Sequence, residues 1–162
     1  MPLLIGVRAE AIKGFFENPI FLSAVSSWFM AQLIKTAVVL LGGRKRSLRE
    51  LLETIIWRSG GMPSSHSSMV AAIATSAAFR DGLRSDLFVI SFFFALIVMR
   101  DAMGVRRSSG IQGRTLNNLG RQLAEKDGVE FHPVKEVHGH TPLEVVIGGL
   151  MGVFIAAAYA VL

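Results

Sequence analysis

Gly60-Gly61-Met62-Pro63-Ser64-Ser65-His66-Ser67-Ser68 is the stretch around which this 162-residue chain is organised. Two glycines allow a sharp turn, Pro63 stiffens the exit, and small hydroxyl residues lead into an Ala-rich apolar run. The pattern predicts a helix whose first backbone N–H groups lack intrahelical partners. Those donors, at the positive end of the helix dipole, suit an anion and above all a phosphate. Ser64 and Ser65 sit at that mouth, and His66 beside them can move a proton near neutral pH. A Ser-rich cap with an incidental histidine is the plain alternative. What decides between them is the company the rest of the chain brings to this place.

The surroundings are apolar. Hydrophobic residues make up 51% of the chain, charged ones 18%, and the mean hydropathy is +0.49. These values point to a bilayer rather than to water. A net charge of +5 and a pI near 10.2 suit anionic partners, namely lipid headgroups or phosphorylated substrates. The basic residues flank apolar runs and no aromatic-basic platform accompanies them, so nucleic acid is not the expected partner. With no cysteine, disulfides and thiol chemistry are excluded.

Apolar segments at 19–41, 64–83, 85–103 and 141–162 predict four membrane spans in a single all-α domain covering residues 1–162. Residues 1–18, with Arg8, Glu10, Lys13 and Glu17, read as an amphipathic lead-in without the features of a signal peptide. Between the first two spans, Leu48, Leu51, Leu52, Ile55 and Ile56 recur at helical spacing before Trp57. They predict a short helix on the membrane surface. Residues 106–137 form a polar insertion, in which Leu116, Leu119 and Leu123 predict an amphipathic helix outside the bilayer. Ala and Ser in the second span and Gly148, Gly149 and Gly152 in the fourth predict close helix packing.

Four spans place the first and third connections on one side. Together these carry eleven Lys and Arg against four on the opposite side, which assigns them to the cytoplasm. The same side collects the reactive residues. Lys35 ends the first span, with Gln32 on its face; His66 opens the second; Asp101, Arg106 and Arg107 follow the third; His140 opens the fourth. Two histidines, a set of cations and a helix N-terminus supply a nucleophile, a general acid and a cradle for phosphoryl oxygens.

Three ordered segments carry a resemblance: Gly60 to Ser67, then Arg100-Asp101-Ala102-Met103-Gly104-Val105-Arg106-Arg107, then Gly139-His140-Thr141-Pro142-Leu143-Glu144. Together they resemble the divergent branch of the type 2 phosphatidic acid phosphatase family, related to acid phosphatases and vanadium-dependent haloperoxidases. The resemblance spans roughly Asn18 to Ala160. It implies an α-helical membrane phosphatase that needs no metal or other cofactor. Such an enzyme hydrolyses a phosphate monoester or pyrophosphate on a lipid-like substrate through a phosphohistidine. It also implies roles: His140 attacks phosphorus, Glu144 holds its tautomer, and His66 protonates the leaving oxygen. Lys35 and Arg106 or Arg107 bind the phosphate. Vanadate is expected to mimic that phosphate. The sequence departs from the family pattern in three places. Gly42-Gly43 stands where an Arg-Pro pair is expected, Glu144 replaces an aspartate, and 33 positions separate Arg107 from His140 where the family keeps the two close.

Several residues keep two readings at this stage. Thr141-Pro142-Leu143-Glu144 is a capping box, so Glu144 either caps the helix or orients His140. Lys35 either serves the site or snorkels to the headgroups. Asp101 either neutralises an arginine or hydrogen-bonds a catalytic group. Gln112 is a candidate polar support, while His132 is expected to face solvent and His138 to be a loop neighbour. Two functions from other classes compete with hydrolysis: a membrane protein that binds or transports a phosphorylated lipid without cleaving it, and a vanadate-dependent peroxidase.

Overall fold

The computed structural model describes residues 10–41, 61–137 and 139–162. The surface helix expected before Trp57, the Arg44-Lys45-Arg46 run and His138 lie outside them. Five principal helices and no strands occur among the described residues: α1 (Pro19–Leu41), α2 (Ser65–Asp81), α3 (Asp86–Met103), α4 (Val105–Asp127) and α5 (Pro142–Val161). Residues 10–16 form a short helical lead-in.

The packing is the reverse of a water-soluble domain. The buried apolar residues are nine alanines with Val70 and Val145, and the other fully buried side chains of any size are serines. Phe92, Phe93, Phe94, Ile97, Leu150 and Phe154 all face outward. Large apolar groups gain nothing by leaving lipid for one another, whereas small ones let backbones approach closely. α2 therefore sits at the centre, packed against α1, α3 and α5. A Cβ at Gly148 of α5 would strike the Ser64 carbonyl, and one at Gly152 would strike that of Ser68. The Ser68 hydroxyl donates to the Ser27 carbonyl of α1 at 3.3 Å.

α1, α3 and α5 are long and apolar enough to cross a membrane. The second expected span is not: α2 has only 17 residues and is rich in Ser and Ala. Its packing against three apolar neighbours is the physical reason, since a helix with most of its surface turned away from lipid needs little greasy surface.

The polar insertion is more ordered than its composition suggests. α4 begins directly after Gly104 and runs for 23 residues. Gly128, at φ +66°, then turns the chain back along it. The returning segment lies against Gly110, Gly113 and Gly120, where added Cβ atoms would meet Val137, Glu136 and Phe131. Asn117 clamps it by exchanging hydrogen bonds with the Val134 backbone at 2.9 and 3.0 Å and by donating to Glu136 at 2.9 Å. Arg114 pairs with the same carboxylate at 3.3 Å.

Candidate active site

The start of α2 is fixed from three directions. Ser64 caps the helix, its hydroxyl accepting from the Ser67 N–H at 3.3 Å and the Ser67 hydroxyl at 2.9 Å. The Ser64 N–H donates to the Glu144 carbonyl at 3.0 Å, which ties α2 to the first turn of α5. From α1, Lys35 is 3% exposed and its Nζ donates to the Ser65 hydroxyl at 3.2 Å. Lys35 thus points into the bundle rather than out to the headgroups. Gln32, on the same face of α1, is also 3% exposed, and its Oε1 has no hydrogen-bond partner among the described residues.

His140 reaches this place from the far end of the insertion. The return segment along α4 brings Gly139 onto the backbone of Arg106 and Arg107, so closely that a Cβ on Gly139 would overlap Arg107. The His140 N–H then donates to the Ala102 carbonyl at 3.0 Å. The 32 residues between Arg107 and His140 are therefore looped out, and the two ends meet. His140 is 3% exposed.

Glu144 does both things the sequence offered. Its Oε2 lies 3.2 Å from His140 Nδ1 and accepts the Thr141 N–H at 2.9 Å, while the Thr141 hydroxyl accepts the Glu144 N–H at 3.4 Å. A carboxylate on Nδ1 assigns the proton to that nitrogen and leaves the Nε2 lone pair for chemistry. Burial pushes the His140 pKa below the ordinary histidine value, and the charges of Lys35 and Arg106 push the same way. The hydrogen bond and charge of Glu144 act upward without cancelling this. His140 is therefore neutral at pH 7, the state a nucleophile requires.

His66 is half-buried and lies within electrostatic reach of Arg106, Lys35 and His140. Arg106 meets Asp101 across the Gly104 break, Nε to Oδ2 at 2.7 Å. Asp101 thus partners an arginine rather than a histidine. Arg107 is exposed, and its backbone seats Gly139. The structure brings together Lys35, Ser64, Ser65, His66, Arg106, His140 and Glu144. It leaves Arg107 and Gln112 outside, the latter bonded to Ser108 on the surface of α4 at 3.4 Å. His132 faces solvent, 3.8 Å from Glu130. Among the described residues no three His, Cys, Asp or Glu side chains cluster to hold a metal.

Sequence reasoning missed two residues that build the site. Gly139 has a role only its Arg107 contact discloses, although a glycine beside a reactive histidine was the available signal. Asn117 sits among other polar residues and gave none.

A family model described as "Divergent PAP2 family" matches residues 16–155. A curated relative, the uncharacterized membrane protein YuiD of Bacillus subtilis (strain 168), is 37% identical over 152 residues, covering 86% of this chain and 92% of that protein. No solved structure matches the chain.

Proposed function

Because the chain belongs to the divergent PAP2 family, we propose that this membrane protein is a phosphatase acting on a lipid-like phosphate monoester or pyrophosphate. The observation that carries the reading is the buried His140–Glu144 pair, set beside His66, Lys35 and Arg106 at the N-terminus of α2.

In the first step the His140 Nε2 lone pair attacks phosphorus as the bond to the leaving oxygen breaks. That oxygen keeps the bonding pair and takes a proton from His66. Lys35, Arg106 and the free N–H groups of α2 face the equatorial oxygens, where charge spreads in the transition state. The incoming phosphate supplies the negative charge that lets His66 carry its proton among these cations. In the second step water attacks the phosphohistidine and gives its proton to His66. The P–N bond breaks and its electron pair returns to Nε2.

α2 crosses the bilayer as a fourth span packed among α1, α3 and α5. The site then faces the cytoplasm, a reading supported by the eleven basic residues against four. One observation favours lipid binding without cleavage: the Asp101 carboxylate already engages Arg106 and takes up part of its charge. Release of inorganic phosphate from mixed lipid phosphates by the purified chain, lost in His140→Ala, decides for hydrolysis. Saturable lipid binding without release decides for the alternative.

A further inference from the structure

α1 and α3 both pack on α2 but do not touch each other. One strip of α2 is therefore left uncovered between them by the described residues. His66, Met69 and Ile73 lie along it, at the i, i+3 and i+7 spacing of one helix face. All three are half-buried, whereas Ser67, Ser68, Val70, Ala71, Ala72 and Ala74 around them are buried. Below Met69 the gap widens into a cavity of about 440 Å³ between Phe21 and Ala24 of α1, Ile73 of α2 and Leu87 of α3. Arg80 closes its far end, donating to Asn18 at 3.3 Å. α1 contributes Ala24, Trp28 and Gln32 at four-residue spacing, so one face of α1 runs from the cavity to the level of Lys35.

We infer that this gap between α1 and α3 receives the hydrocarbon chain of the substrate, laterally from the bilayer, with the chain running from His66 along Met69 and Ile73 into the cavity. The inference rests on the hydrolytic reading above and follows from its geometry. In-line displacement puts the attacking and leaving atoms on opposite sides of phosphorus. With His140 attacking and His66 protonating the leaving oxygen, the lipid moiety departs on the His66 side. The apolar strip that begins at His66 is where its chain continues. Ile73 is seven residues further along α2, about 10 Å from His66. A chain must therefore pass Met69 before it gains the cavity, and chains too short to do so gain nothing from it.

A second apolar cavity, about 310 Å³, lies between α3 and α5 with Ala71, Ala74 and Ala78 on its α2 side. Those alanines are turned roughly a third of the way round the helix from His66. The leaving group does not point there, so this crevice serves as the internal control.

The test uses the full chain in detergent and alkyl monophosphates from butyl to hexadecyl, with p-nitrophenyl phosphate as the chainless reference. The kcat/KM ratio of hexadecyl to p-nitrophenyl phosphate should fall roughly tenfold or more in Ala24→Leu, as expected when about two methylenes lose an apolar site. Leu87→Phe, which narrows the cavity from a partly exposed position, should act in the same direction if Ala24→Leu does not fold. Ala78→Leu should leave the ratio unchanged. In a Trp57→Phe background, brominated hexadecyl phosphate should quench Trp28 saturably, with competition by hexadecyl phosphate and weakening by Leu87→Phe. Saturable quenching without turnover of any ester would keep the chain site and overturn the phosphatase reading. Phosphate release without chain-length dependence would do the reverse. A ratio that responds to Ala78→Leu and not to the other two would overturn the inference. So would a dimer that dissociates on Leu87→Phe, which would assign the gap to a second copy of the chain.

Discussion

His140 and Glu144 are joined through a single oxygen that serves two masters: Glu144 Oε2 lies 3.2 Å from His140 Nδ1 and 2.9 Å from the Thr141 nitrogen. Orientation of His140 and capping of α5 are therefore one feature, and substitution at Glu144 touches both. Glu144→Gln keeps an oxygen for the Thr141 N–H, since glutamine also completes a capping box, so thermal stability should fall by less than the roughly 0.5–2 kcal/mol of a lost N-cap. The substitution should also move the acid limb of kcat/KM. His140 must be neutral to attack, so activity falls as pH drops through its folded pKa, which lies below 6.5. Glu144 pulls that pKa upward, so its neutralisation should shift the limb to lower pH while lowering kcat. A limb that moves up would contradict the assignment, and pH–rate profiles of the two proteins read it directly.

Histidine substitutions separate the roles. His140→Ala should abolish turnover. His66→Ala should lower kcat by roughly 10²–10⁴-fold, the usual contribution of a general acid. It should lose less on p-nitrophenyl phosphate, whose leaving oxygen needs no proton. His132→Ala, at the solvent-facing end of the insertion, should change neither constant. Steady-state kinetics on both substrate types suffice.

Gly139→Ala tests whether the closing of the insertion places the nucleophile. A methyl group there overlaps the Arg107 backbone, so the loop must shift and His140 with it. Misplacement by about 1 Å can cost on the order of 10²-fold. The expected result is a loss of that order in kcat with little change in melting temperature. Unchanged kcat would show that the Gly139–Arg107 contact does not position His140.

The clamp on the return segment should be acid-sensitive. The Asn117 hydrogen bond first, and then the Arg114 charge, hold the Glu136 carboxyl below its ordinary value of 4.5. A depressed carboxyl stabilises the fold above its unfolded pKa and loses that contribution as pH falls through the folded value. Protease sensitivity of residues 128–137 should therefore rise below about pH 4.5, the ordinary glutamate range. Asn117→Ala should show it already at pH 7.

How much of this was legible beforehand depended on distance along the chain. The Ser64 cap, the Thr141–Glu144 box and three of the four apolar spans are written in neighbouring residues, and sequence and structure agree on their bounds within a residue or two. α4 was seen only in part, because the Arg106-Arg107-Ser108-Ser109-Gly110 start looks like a loop. It becomes a helix start only with the contacts to Val137 and Arg107's neighbour Gly139 in view. The Lys35 choice was closed by Ser65, thirty residues away. Local pattern cannot weigh partners at that separation.

The charge asymmetry between the two sides makes sidedness a prediction. Single cysteines replacing Leu83, in the α2–α3 turn, and Asp127, at the tip of α4, should label from opposite faces with an impermeant thiol reagent. Leu83→Cys should react from outside intact cells and Asp127→Cys only after the membrane is opened. The opposite pattern would place the site on the outer face.

The most direct measurement is mass spectrometry of the protein quenched during turnover of p-nitrophenyl phosphate. A phosphoryl group on His140, absent from His140→Ala, is the predicted result. Phosphate release with no phosphorylated histidine, or with the group on His66, would contradict the account.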